Sequence, residues 1–188
     1  LAITGYPPED LLFKTSFLRD NVAAMRQVIA ASHGIAVVVG YVHLGSDISN
    51  AAALGYDGEL IDTYQKMYLP NYGVFDEDRY FRPGSTCPVY IINGVSVGLG
   101  ICEDIWYPVG PIAVQREAGA ELIVNINASP FHAGKWVQRE RMIATRAADN
   151  ELFVAYINSV GGQDELVFDG ASVVHDMSGE LVARGPAF

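Results

Sequence analysis

The chain has 188 residues, and 12 lysines and arginines against 22 aspartates and glutamates leave a formal charge of −10, a balance that disfavours nucleic acid and anionic membranes as partners. Half of the residues are hydrophobic and 18% are charged, which is too apolar for disorder and enough to bury a substantial core. No apolar run approaches the ~20 residues that a membrane-spanning helix needs.

Along the chain, Leu18, Val22, Met25 and Ile29 form the stripe of a helix ending near His33-Gly34. Ile35 to His43 is rich in β-branched residues and reads as a buried strand. Asn50 to Tyr56 and Glu59 to Met67 flank Asp57-Gly58, a two-residue hairpin signal, and the second arm carries Lys66 at its end. Tyr68 to Pro88 is a long irregular stretch holding five aromatic residues, and loops of that length are usually functional. Asn93-Gly94 marks a second hairpin between Val89 to Asn93 and Val95 to Cys102, with Cys102 at the strand end, where α/β folds place chemistry. Pro108 to Ala118 predicts a helix closed by Gly119, Leu122 to Ile126 a strand, Lys135 to Asn150 a helix and Leu152 to Asn158 a strand. Leu166 to His175 and Leu181 to Arg184 predict two closing strands around the turn Asp176 to Gly179. Hairpins mixed with strand-helix alternation point to a layered α/β sandwich, and no repeat, linker or domain boundary is visible.

Two cysteines, Cys87 and Cys102, make no disulfide framework, so a reducing, cytoplasmic setting is the expectation. No initiator Met and no signal-peptide pattern opens the chain, which suggests a fragment. His33, His43, His132 and His175 have no metal-ligand spacing. Gly98-Leu-Gly100 lacks the third glycine of a dinucleotide fingerprint because position 103 is Glu. Asn127-Ala-Ser129 fits a glycosylation sequon but reads better as a strand-end turn. Cys102 is either a buried core thiol or a nucleophile. With Glu103 and Asp104 beside it, like charge disfavours its thiolate unless a cation compensates. Lys66 can be that cation, although a strand-end lysine is ordinarily an exposed one. Lys135 and Arg139 could serve a helix start, a pocket rim or an interface, and the sequence does not choose.

Four ordered segments carry a resemblance. Thr4-Gly-Tyr-Pro-Pro-Glu-Asp-Leu-Leu12, Lys66 to Phe81, Gly100-Ile-Cys-Glu-Asp-Ile-Trp106 and Asn127-Ala-Ser-Pro-Phe131 resemble the nitrilase superfamily of carbon-nitrogen hydrolases. More narrowly they look like the glutaminase domain of glutamine-dependent NAD synthetases, with matches running on to Gly161 to Gly170. The resemblance implies a nitrilase-like α-β-β-α sandwich over residues 1–188, lacking its first strand and helix. It implies a Glu-Lys-Cys triad in which Cys102 is the nucleophile and Lys66 the lysine. The triad glutamate is expected just before Leu1, and Glu77 resembles a second carboxylate that orients Lys66. Tyr72, Glu103, Ser129 and Phe131 fall in motifs that line the glutamine pocket, with Glu103 suited to the ligand's ammonium.

The implied reaction is hydrolysis of L-glutamine to glutamate and ammonia without a cofactor. The ammonia would serve a synthetase domain for which this stretch carries no motif, and ATP and Mg would belong to that domain alone. Homo-oligomers are common in the superfamily and are expected here. Two other readings stay open: a stand-alone nitrilase-like amidase or carbamoyl hydrolase, and an inactive assembly module. A Cys-His hydrolase using His132 or His175 has no supporting signature.

Overall fold

The computed structural model describes residues 1–188. They form two compact units, Leu1–Thr86 and Cys87–Phe188. The division falls inside the long stretch between the two hairpins, where the composition does not change.

The first unit is one helix on one sheet. Helix α1 (Thr15–Ala30) packs on the antiparallel strands β1 (Ala36–Leu44), β2 (Ile48–Tyr56) and β3 (Glu59–Gln65), which lie in that order. The predicted stripe explains the packing. Met25 and Ile29 are buried with Val22 against Val39, Tyr41, Ala51 and Ala53, and the register pairs Val39 with Ala53 and Tyr41 with Ala51. The alternate residue Val42 joins Leu12 and Phe81 in a second cluster, so the centre of β1 is buried as expected. Strand β1 lies at the sheet edge, and its outward backbone groups find partners. The Asn21 side chain donates to Val42 O at 2.7 Å and accepts from Val42 N–H at 3.0 Å, and Ala2 N–H donates to Gly40 O at 2.8 Å. The Asp57-Gly58 hairpin forms as predicted, with φ of 49° and 85°.

The second unit is built on a six-stranded sheet. Its strands are β4 (Val89–Ile92), β5 (Val95–Ile101), β6 (Leu122–Asn127), β7 (Phe153–Asn158), β10 (Val173–His175) and β11 (Leu181–Arg184), in the order β11-β10-β7-β6-β5-β4. Strands β5, β6 and β7 run parallel, so their C-terminal ends lie along one edge. Helices α2 (Pro111–Glu117) and α3 (Lys135–Asn150) supply Ile112, Ile143 and Ala147 to a core with Ile105, Ile123, Leu152, Val154 and Tyr156. Helix α2 is shorter than predicted. It begins at Pro111, which has no N–H to leave unsatisfied and suits the first helical position.

The predicted strand Leu166 to His175 is two strands. It breaks after β9 (Leu166–Asp169), because Gly170 and Ala171 both adopt positive φ, 66° and 49°. Strand β9 pairs with β8 (Val160–Gln163), which the sequence reading missed because Gly161-Gly162 resembles a turn. No helix is long and apolar enough to cross a membrane.

Candidate active site

In the first unit, Lys66 follows the last residue of β3, and its backbone continues the ladder. Its N–H donates to Asn50 O at 2.8 Å, and its carbonyl accepts from Gly84 N–H at 2.8 Å. Gly84 must be glycine there, since a Cβ would collide with the Gln65 backbone carbonyl. This clamp turns the side chain inward. The strand-end lysine is 1% exposed and its ammonium lies 2.7 Å from both oxygens of Glu77, which is 4% exposed. Tyr6 O–H donates to Glu77 Oε1 at 2.9 Å, and Asn50 Nδ2 reaches Oε2 at 3.5 Å. A buried ammonium and carboxylate are tolerable only as a pair with such extra donors. Glu77 is itself fixed by a tight turn, its carbonyl accepting from Tyr80 and Phe81 N–H and its own N–H donating to Pro70 O.

Cys102 closes β5 in the second unit. The strand enters a 3-10 turn over Cys102–Ile105, and Cys102 takes a φ of 48°. Asp57 and Asn93 share that conformation in hairpin turns, where it is ordinary, but a cysteine between a strand and a helical turn is strained by it. Such a turn lifts the apical side chain off the strand, and Cys102 is half-buried rather than sealed in the core. The two acids beside it are buried and hydrogen-bonded. Ile101 N–H donates to Asp104 Oδ2 at 3.0 Å, and Tyr107 O–H donates to Glu103 Oε1 at 3.1 Å. Register places Gly100 beside Asn125 and Asn125 beside Tyr156. Burial, and after it the charge of a Cys102 thiolate, push the Tyr156 phenol far above its ordinary range, so it stays a neutral hydroxyl. Burial and the Asp104 carboxylate likewise push the Cys87 thiol up.

Ser129 is buried and its N–H donates to Asn158 Oδ1 at 2.8 Å. Phe131 is exposed, its ring 5.6 Å from that of Phe188, while its N–H donates to Val167 O at 2.7 Å. Tyr72, 55% exposed, meets Phe75 edge-on at 5.5 Å, and Phe75 lies 6.3 Å from Tyr6. Asn127 is buried and spends its side-chain amide on Asn125 and Ile157 carbonyls, as a strand-end residue rather than a glycan acceptor. Lys135 opens α3 with its ammonium 5.9 Å from the Trp106 ring, and Arg139 is not on a surface at all but paired with Asp169. Sequence reasoning missed Tyr6, Asn50, Asn158 and Asp169. Tyr6 and Asp169 sit inside the quoted motifs, but nothing local marks any of the four as a partner of a charged group.

The family model described as carbon-nitrogen hydrolase matches residues 1–188. The chain is 49% identical over 190 residues to a glutamine-dependent NAD(+) synthetase of Aquifex aeolicus (strain VF5), covering 100% of this chain and 34% of that protein. A solved glutamine-dependent NAD+ synthetase from Acinetobacter baumannii superposes with a TM-score of 0.92 at 35% identity, over 98% of this chain and 35% of that one. An amidase from Nesterenkonia sp. AN1, whose structure carries the acetamide moiety of fluoroacetamide on its active-site cysteine, superposes at 0.85 with 28% identity, over 97% and 69% of the two chains. This chain thus spans about a third of the length of the synthetases it matches, and it has the expected nitrilase-like α/β fold. The match over its whole length places the chain in the carbon-nitrogen hydrolase family.

Proposed function

We propose that the chain hydrolyses the side-chain amide of L-glutamine to glutamate and ammonia, and that the ammonia feeds an ATP-dependent synthetase domain in NAD biosynthesis. The observation that carries this reading is the half-buried Cys102 on a strained turn at a strand end, in a chain 49% identical to a glutamine-dependent NAD(+) synthetase. In the proposed reaction the Cys102 sulfur attacks the amide carbon. The resemblance assigns the resulting oxyanion to the backbone N–H of Glu103 and to the triad lysine, Lys66. The carbon-nitrogen bond then breaks, nitrogen leaves as ammonia with the thiol's proton, and water cleaves the thioester to glutamate and free Cys102. The resemblance assigns the proton transfers to the glutamate of the Glu-Lys-Cys triad, a residue other than Glu77. Glu77 is assigned a positioning role, because both of its oxygens already accept hydrogen bonds from Lys66, Tyr6 and Asn50. The resemblance likewise assigns Glu103 to the substrate's α-ammonium and Tyr72, Ser129 and Phe131 to substrate contacts. No step needs a metal or cofactor.

The likeness to the Nesterenkonia amidase supports a second reading, a stand-alone amidase acting on other small amides. Glutamate release from L-glutamine by the full-length gene product, measured beside a panel of simple aliphatic amides and with Cys102→Ala as the blank, separates the two. Cys102-dependent turnover selective for glutamine supports the first. Turnover of acetamide or butyramide without glutamine supports the second, and folded protein silent toward every amide overturns both.

A further inference from the structure

The second unit contains a buried ion pair that the proposed chemistry does not use. Arg139 on α3 and Asp169 at the end of β9 are 3% and 5% exposed, and they meet through two parallel hydrogen bonds, Nη1 to Oδ1 at 3.1 Å and Nη2 to Oδ2 at 2.9 Å. A pair this deep is a poor stabiliser, since apolar residues of the same volume usually serve a core as well or better. What it supplies is geometry, because the planar guanidinium fork fixes the orientation of the carboxylate it grips.

The orientation is passed on. Asn158, the last residue of β7, directs its Nδ2 toward Asp169 Oδ1 at 3.3 Å and Gly170 O at 3.0 Å, with Ser129 O a longer acceptor at 3.4 Å. An asparagine amide can sit either way round, but the acceptors on that side admit only its NH2 group. Its Oδ1 is therefore the atom that accepts from the N–H of Ser129, at 2.8 Å, so the amide grips the Ser129 backbone through both of its ends. Two residues further on, Phe131 N–H donates to Val167 O of the same strand β9. The segment Ser129–Phe131 is thus held at both ends by β9, once directly and once through Asn158, with Arg139 fixing the anchor.

We propose that Arg139 and Asp169 are positioning residues for the amide substrate, setting through Asn158 the presentation of Ser129–Phe131 and hence the affinity for glutamine. This rests on the glutaminase reading for its substrate, but the positioning itself has an independent readout. In the full-length gene product, Asp169→Asn and Arg139→Lys are to be compared with wild type for glutamine KM and kcat, alkylation of Cys102 by iodoacetamide, and amide hydrogen exchange. The expected result is a KM raised about tenfold, the equivalent of one lost hydrogen bond, with kcat and Cys102 alkylation held within about threefold. Ser129 N–H should exchange about tenfold faster while the core amides of Ile123 and Tyr156 do not change. Arg139→Lys keeps the charge but loses the fork, so it gives the same pattern more weakly and serves if Asp169→Asn does not fold. Unchanged KM and unchanged Ser129 exchange overturn the proposal. So does faster exchange spread evenly over β6 and β7, which would make the pair a core brace only. If wild type releases no glutamate, the proposed function falls, and Ser129 exchange alone decides whether the pair positions the segment.

Discussion

Lys66 and Glu77 show how one side chain makes another's burial possible. With the ammonium 2.7 Å from both carboxylate oxygens, neither can be removed alone without leaving a buried charge that has lost its opposite charge. Lys66→Met and Glu77→Gln are each expected to cost about 3–5 kcal/mol of stability. The double variant should regain much of that loss in urea denaturation, yet release no glutamate. Recovery of activity in the double variant would remove Lys66 from the mechanism. The two cysteines offer a second contrast at this scale. The thiolate is the reactive form, and burial together with Asp104 holds the Cys87 thiol above its ordinary value. At pH 8, iodoacetamide should therefore modify Cys102 well before Cys87. The Cys87 rate should keep climbing as the pH passes the ordinary thiol range, which peptide mapping by mass spectrometry can follow.

At the scale of elements, two glycines are required for different reasons. Gly94 has a φ of 82° in the β4-β5 turn, and a Cβ there would meet nothing within 4 Å. Gly94→Ala should cost about 1–2 kcal/mol, all of it backbone conformation. Gly100 lies in the interior of β5 beside Asn125, whose side-chain carbonyl occupies the space a Cβ would need. Gly100→Ala should cost about 1–3 kcal/mol through overpacking. Urea midpoints of the two variants check both figures, and a neutral Gly100→Ala would mean that Asn125 moves freely. The hairpins at Asp57-Gly58 and Asn93-Gly94 were legible because a two-residue turn states its dihedral requirement locally. Helix α3 was legible over its full length for a similar reason, since Trp136, Arg139, Met142 and Ile143 repeat within one element. The β8-β9 pair was not, because its stability comes from pairing across Gly161-Gly162 rather than from any pattern in the four residues of β8.

The whole molecule carries its apolar residues in separate cores, Met25, Ile29, Val39 and Tyr41 in one unit and Ile123, Ile143, Val154 and Tyr156 in the other. Each core is the meeting of helix stripes with the inward positions of a sheet, the minimal arrangement that lets both bury an apolar face. The net charge acts at this scale too. With a formal charge of −10 and a sequence pI near 4.7, a polypeptide of these residues should pass unretained through a heparin column at neutral pH and low salt and be held by an anion exchanger. Retention on heparin would reveal a basic surface that the overall balance conceals.

The amino-acid sequence by itself determined the α/β class, the hairpins, the helix boundaries of α3 and the family, because each is written in local periodicity, turn chemistry or ordered motifs. It also singled out Cys102 and Lys66 as the residues worth following. The resemblance had already set Glu77 beside Lys66, but only the tertiary structure decided that the pair is buried, that Tyr6 and Asn50 donate to its carboxylate, and that Arg139 grips Asp169 instead of facing solvent. Tyr6 and Glu77 are 71 residues apart, and Arg139 and Asp169 are 30. A charge's partner at such separation is chosen by how the chain closes its loops and stacks its strands, and no pattern within one element records that choice.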